Sequence, residues 1–359
     1  MSSQSRVVRG DNVPVLPAPW RITFDTNPDD CNLSCVMCEE HSDFSEKKRL
    51  RVLDHRPHRR MDIRVLRQVV AEMAPLGLRE IIPSTIGEPL LYQHFDEILD
   101  VCREYGVYLN LTTNGTWPRF GAEEWGLRLC PLTSDVKVSW NGSSPTIQES
   151  VMKGSSTEKR FRDLETFLRM RSRAARSLGH YCRVTLQCTF MESNLSDLPA
   201  LIELAADMGV DRVKGHQLWV HFPEMAEQDL RRSRESRTRW NQTVKECRLT
   251  AATHRRPDGG QILLDNFMPL PVDGEASVPS DWVCPFLGRE AWVNHAGRFD
   301  PCCAPDEERE SLGRFGRVTE NGGLLGIWEG SPYSELLRDY TTRRVCQKCN
   351  MRRPREQVT

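Results

Sequence analysis

The sequence has no excess charge of either sign. Lys and Arg total 49 against 50 Asp and Glu in 359 residues, leaving a net charge near zero. That disfavours a nucleic-acid partner held through overall charge. No run of about 18 apolar residues occurs, so no hydrophobic membrane-spanning helix is expected. The N-terminal stretch MSSQSRVVRGDNVPVLPAPW lacks the apolar core of a secretory signal, and the expected location is cytoplasmic. Neither a sequence repeat nor a low-complexity tract interrupts the chain.

Cysteine, by contrast, is plentiful: the chain has 13. An odd and unevenly spaced set makes a poor disulfide framework. Seven of the 13 fall into two groups, Cys31, Cys35 and Cys38 near the start and Cys284, Cys302, Cys346 and Cys349 near the end. Tight groups of this kind in a reducing compartment point to metal or iron–sulfur ligation. Most of the others, Cys102, Cys130, Cys182, Cys188 and Cys247 among them, read as small buried apolar residues.

Between the two groups, short apolar runs alternate with amphipathic stretches. WRITFD (20–25), REIIP (79–83), VYLNLTTNG (107–115), DVKVSWNG (135–142), CRVTLQCTF (182–190) and DRVKGHQLWV (211–220) read as strands. Helices are expected over 61–77, 91–106, 156–179 and 195–209, the last with Ser196 or Asn194 as N-cap. Strand-then-helix about six times over implies an α/β fold with a parallel sheet covered by helices. We therefore expect a partial (β/α)6 barrel, three-quarters of a full one, over 20–225. A short extension (1–19) precedes it, and a helical linker (226–280) joins it to a small metal-organised module (281–359). The basic stretch EKKRLRVLDHRPHRR (46–60) reads as a solvated loop, with contact to a phosphate or nucleotide group as the alternative.

In such barrels the chemistry lies where the strands end. DDCNLSCVMC follows the first strand and STIGEP (84–89) the second, TTNG (112–115) and SWNG (139–142) end the third and fourth, Gln187 lies in the fifth, and KGHQLW (214–219) ends the sixth. Three thiolates on one loop can hold three irons of a [4Fe–4S] cluster and leave the fourth open to an outside ligand. A structural zinc site that takes His41 as its fourth ligand is the alternative.

CNLSCVMC resembles the CxxxCxxC loop of the radical S-adenosylmethionine (SAM) enzymes, and the resemblance covers roughly 20–220. It implies that Cys31, Cys35 and Cys38 hold a cluster whose open iron binds SAM, and that SAM is cleaved reductively to a 5′-deoxyadenosyl radical. A reductant such as flavodoxin or ferredoxin is implied as electron donor. IGEP is similar to the family's Gly-Gly-Glu segment, with Ile86 in place of the first glycine. Gly87 and Glu88 are then cofactor-binding residues, with Glu88 accepting from the SAM ammonium. By the same resemblance Thr113 and Asn114 lie near the ribose, Ser139 near the ribose or the methionine carboxylate, and Met37 beside the adenine. Gln187 is carried along as a further cofactor-binding residue.

The C-terminal stretch resembles the SPASM domain in its short, twitch form, through HAGRFDPC and CQKC. That implies one auxiliary [4Fe–4S] cluster on Cys284, Cys302, Cys346 and Cys349, with zinc as the alternative. Gly297 and Asp300-Pro301 fit a tight hairpin that delivers Cys302. The neighbouring thiol of Cys303 is the candidate catalytic residue, as a hydrogen-atom donor in an epimerisation. His216, Gln217 and Trp219, with His221, offer donors, acceptors and an aromatic wall for a small polyhydroxylated or heterocyclic substrate.

The leading expectation is an oxidoreductase or epimerase acting on a carbohydrate- or nucleoside-like metabolite, as in antibiotic pathways. A peptide- or protein-modifying enzyme stands second, disfavoured by the short stretch before the barrel, and a non-catalytic zinc scaffold third.

Overall fold

The computed structural model describes residues 9–84, 86–273, 278–320, 322–349 and 351–358. Its centre is a nine-stranded sheet of β1 (Arg21–Phe24), β2 (Glu80–Ile82), β3 (Tyr108–Thr113), β4 (Thr133–Ser139), β5 (Arg183–Phe190), β6 (Arg212–Gln217), β7 (Leu263–Asp265), β8 (Glu290–Val293) and β9 (Phe299–Asp300). The spatial order is β7-β6-β5-β4-β3-β2-β1-β8-β9. Every pairing is parallel except β8 with β9. Strands one to six stand in sequence order, the arrangement right-handed strand–helix–strand crossovers produce. This is the partial barrel expected.

The helices between and after its strands are α1 (Glu46–Leu53), α2 (Ile63–Met73), α3 (Phe95–Tyr105), α4 (Gly121–Leu129), α5 (Pro145–Val151), α6 (Thr157–Leu178), α7 (Leu198–Asp207) and α8 (Arg234–Thr253). Alternate strand residues explain the layering. Val136, Val138, Val184, Leu186, Cys188 and Val213 point outward into a continuous apolar core with Leu164, Phe167, Leu201 and Ile202 of α6 and α7. Gly215 belongs to this outer face, because a Cβ there would overlap the Phe190 ring at 2.0 Å. The intervening residues face the lumen.

Several expectations are corrected. The 226–280 segment is more than a helical linker, because after α8 it adds β7 to one edge of the sheet. The 281–359 module does the same at the opposite edge, with β8 parallel to β1 in the register Thr23↔Trp292. The boundaries drawn at 226 and 281 therefore cut through one sheet. The 46–60 stretch contains α1, capped by Ser45, and its arginines are engaged internally. Arg51 and Arg59 pair with Asp29 and Glu40, and Arg60 with Asp30. No phosphate contact is needed to explain it. At α7 the cap position falls to Asp197, and Asn194 instead ties the turn to Asn141 and Thr189 through its amide. No helix among the described residues is long and apolar enough to cross a membrane.

Candidate active site

The cysteine loop leaves β1 and is held from below. Ser34 and Val36 donate backbone N–H groups to the carbonyls of Lys153 and Val151, at the C-terminal end of α5. Leu33, Met152, Met191, Leu218 and Met225 form an apolar bed for Cys31, Cys35, Val36 and Met37. The loop's position relative to the sheet depends on Gly87. Its φ is +79°, and a Cβ there would lie 2.4 Å from the Asn27 carbonyl oxygen and 2.8 Å from that of Asp30. The close backbone approach therefore falls at Gly87, and Ile86 in place of the family glycine does not disturb it.

Glu88 is fully buried. One carboxylate oxygen accepts from the Thr113 hydroxyl at 2.8 Å and from the Leu90 N–H at 3.1 Å, while the other accepts from the Asn114 N–H at 2.7 Å. Burial pushes its pKa up to about 7 against these donors. Thr113 ends β3 and Asn114 follows it, both beside this carboxylate. The Thr113 hydroxyl is engaged by Glu88, and the Asn114 side-chain amide donates to Asn32 at 2.8 Å and leans on the Cys31 sulfur at 3.8 Å. Asn114 thereby braces the cysteine loop. Ser139 and Gln187 are register partners on β4 and β5, half-buried and facing the lumen.

Sequence reading missed Arg160 on α6. Its guanidinium is buried, donates to the Ser139 carbonyl, and lies 4.7 Å over the Trp140 ring. Burial lowers its pKa to about 10, although Cys35 and Glu88 pull the other way. No local pattern marks it, since it is one arginine among several on a charged helix.

The three thiols suit a cluster. Burial raises Cys31 to about 11 and Cys35 to about 12, and Cys38 is raised by the same cause. For Cys31 and Cys35 the neighbouring thiolates raise it further. Such a set is poorly stable as free thiolates and gains most from a positive multinuclear centre. Among the described residues no three His, Cys, Asp or Glu side chains converge closely enough for a single metal ion. His41, the fourth ligand of the zinc alternative, has Nε2 donating to the Pro28 carbonyl at 2.8 Å. The second set is equally suited. Cys284, Cys302, Cys346 and Cys349 line one apolar cavity together with Phe286, Tyr340 and Arg352. Arg9 donates to the carbonyls of Cys284 and Leu287 at 2.7 and 2.6 Å, and Gly297 (φ +78°) makes the turn between β8 and β9.

Cys303 lines this same cavity, so its exposed surface opens among the auxiliary thiols and not in the barrel lumen. The substrate residues also divide. His216 and Gln217 line a cavity of about 340 Å³ with Arg231, Asn266, Trp282 and Cys349. Burial lowers the His216 pKa to about 4, so its ring is neutral. Trp219 instead faces the auxiliary thiols, and His221 approaches Glu39 of the cysteine loop at 3.9 Å. One short segment after β6 thus touches both cysteine sets and the cavity between barrel and C-terminal module.

Comparison with known proteins agrees with this geometry. Residues 28–183 match the model of the radical SAM superfamily, and residues 284–350 that of the SPASM iron–sulfur cluster-binding domain. The chain is a radical SAM enzyme with a SPASM auxiliary domain, and its cofactors are a [4Fe–4S] cluster with SAM and an auxiliary iron–sulfur cluster. Among curated proteins it is similar to the PqqA peptide cyclase of Methylobacterium nodulans, 25% identical over 344 residues, spanning 94% of this chain and 80% of the relative. A PqqA peptide cyclase of a second Methylobacterium is 24% identical over 341 residues, with the same coverage. Among solved structures, Streptococcus suis SuiB bound to S-adenosylmethionine superposes with a TM-score of 0.64 at 12% identity, over 95% of this chain and 73% of that one. Native anSMEcpe with bound AdoMet gives 0.59 at 14%, over 93% and 89%. At these identities the structural matches establish a shared fold.

Proposed function

We propose that this enzyme modifies a peptide by radical chemistry. The similarity to PqqA peptide cyclases over 94% of the chain carries this reading. A structure of SuiB bound to the precursor peptide SuiA, alike in fold with a TM-score of 0.61, is in keeping with it. It replaces the carbohydrate- or nucleoside-like metabolite expected from sequence, along with the epimerase and antibiotic-pathway assignments.

In this reading Cys31, Cys35 and Cys38 hold the SAM-binding cluster, and Cys284, Cys302, Cys346 and Cys349 the auxiliary one. Reduced and loaded with SAM, the first cluster would supply hydrogen-atom abstraction chemistry through a 5′-deoxyadenosyl radical. The protein's part is to hold, orient and exclude. Glu88 and Asn114 fix the cysteine loop against β3. Arg160, held at the Ser139 carbonyl, offers a buried cation to the SAM carboxylate. Met37 and its apolar bed keep water from the cluster loop. The cavity at His216 and Gln217 admits a substrate side chain beside the auxiliary module.

The test is anaerobic reconstitution with SAM and a reductant, followed by candidate precursor peptides and, separately, sugars and nucleosides. A peptide product short of two hydrogen atoms is expected, one hydrogen carried off in 5′-deoxyadenosine and the other lost as a proton whose electron the auxiliary cluster would accept. Turnover of metabolites alone would overturn the proposal.

A further inference from the structure

The lumen of this barrel is not a packed core. On central strands, where outward residues are completely buried, the inward residues Thr112, Ser139, Gln187, Lys214 and His216 all keep solvent access. All five face the space beneath the strand ends, which we take as the barrel's well. Lys137 lies low on its wall, on β4 between register partners Thr112 and Thr185, and is 7% exposed. It is two residues before Ser139 on the same face, about 7 Å lower along the strand.

The carboxylates around it are already engaged. Asp135 takes Arg183, Arg212 and the Thr185 hydroxyl. Glu290 and Glu80 pair with Arg21 from β1. Asp265 on β7 faces Lys214, Arg212 and Arg353. Among the described residues none is placed on Lys137 at hydrogen-bond or salt-bridge distance. A buried cation without a counter-ion is expensive, so such a position is retained where an anion arrives from outside. Burial lowers the pKa of this lysine to about 7, with Lys214, Arg21 and Arg212 lowering it further against the opposing carboxylates of Asp135 and Glu290.

We propose that Lys137 is a substrate-binding residue that takes a carboxylate of the peptide substrate at the bottom of the well, one layer below the SAM-binding strand ends. The proposal rests on the peptide reading above and adds to it the chemistry of the group that enters first. A carboxylate there fixes how far the chain descends, and therefore which carbon stands level with Ser139, where the radical is generated.

The test reads Lys137 directly. Reconstituted holoenzyme with SAM is reductively methylated with formaldehyde and cyanoborohydride at neutral pH under anaerobic conditions, and labelling is followed by peptide mass spectrometry. Three probes run in parallel: acetyl-aspartate methylamide, with a side-chain carboxylate; acetyl-asparagine, with a C-terminal carboxylate; and neutral acetyl-asparagine methylamide. At pH 7, a bound carboxylate that raises the lysine pKa from about 7 by about one unit cuts the free-amine fraction from about one half to about one eleventh and slows labelling about fivefold. At least one acidic probe should do so, the neutral one should not, and exposed Lys245 should not respond to any. Which acidic probe protects identifies the carboxylate's source. Equal labelling under all three probes would overturn the proposal, since no anion is then held. Absence of Lys137 labelling in every sample would also overturn it, since the well then admits no small molecule. Formation of 5′-deoxyadenosine is measured in the same preparation. Its absence would defeat the radical reading alone, because protection of Lys137 needs no turnover.

Discussion

The Glu88 carboxylate accepts the backbone N–H of Asn114 at 2.7 Å, joining the loop after β2 to the end of β3. Through the Asn114 amide on Asn32 and Cys31, that one bond reaches the cysteine loop. A fully buried carboxyl therefore stands between sheet and cluster site, and its protonation state bears on both.

The sign of the pH effect follows. The folded-state pKa of Glu88, about 7, lies above its ordinary 4.5, so its contribution to stability is full below 4.5 and is lost as pH rises through 7. In the cluster-free protein, the difference in melting temperature between wild type and Glu88→Gln should shrink as pH is raised from about 5 to about 8. Calorimetry at several pH values measures this, and a constant difference would refute it.

Gly87→Ala should damage the same region by a different route. The added Cβ meets two backbone carbonyl oxygens at 2.4 and 2.8 Å, which no side-chain rotation relieves. A loss of about 1–3 kcal/mol in stability is expected, with reduced iron at the SAM-binding site and normal iron at the auxiliary site. Chemical denaturation and iron analysis of single-site variants check both parts.

Arg160→Met should keep the cluster and weaken SAM. The methionine fills the space over Trp140 but offers no charge, and removing one charge-assisted contact is worth about 1.5–3 kcal/mol, or roughly tenfold or more in affinity. Calorimetric titration of SAM into the reconstituted protein gives the number. Unchanged affinity would remove Arg160 from the SAM site.

At the other cysteine set, Arg9→Met leaves Asp11 buried with only Tyr340 and the Val13 N–H as partners, and frees the carbonyls of Cys284 and Leu287. Breaking a buried pair from one side costs about 3–5 kcal/mol. Auxiliary iron should be lost first on heating. The double variant Arg9→Met, Asp11→Asn should recover part of the loss, which thermal melts and iron content will show.

The six barrel strands and the helices between them were readable because each carries its own signal, a short apolar run or a 3.6-residue stripe, and burial of the outer strand face follows from that pattern. The cysteine sets were readable because thiol spacing on one loop is itself local geometry. β8 was not. EAWV looks like any four residues of an irregular module, and only the free edge of β1 makes it a strand. β7, three residues long, became a strand in the same way.

The sequence by itself determined that this chain builds a parallel sheet, places three thiols after its first strand and four near its end, and so handles SAM through iron–sulfur chemistry. Tertiary structure alone decided that Arg160 comes to rest at the Ser139 carbonyl, that Trp219 parts from His216 and Gln217, and that Lys137 has no salt-bridge partner among the described residues. Each of these depends on which distant strand or helix arrives next to which residue. Side-chain charge and apolar spacing are properties of the chain, but whether a charge finds its partner is settled only when the sheet is assembled.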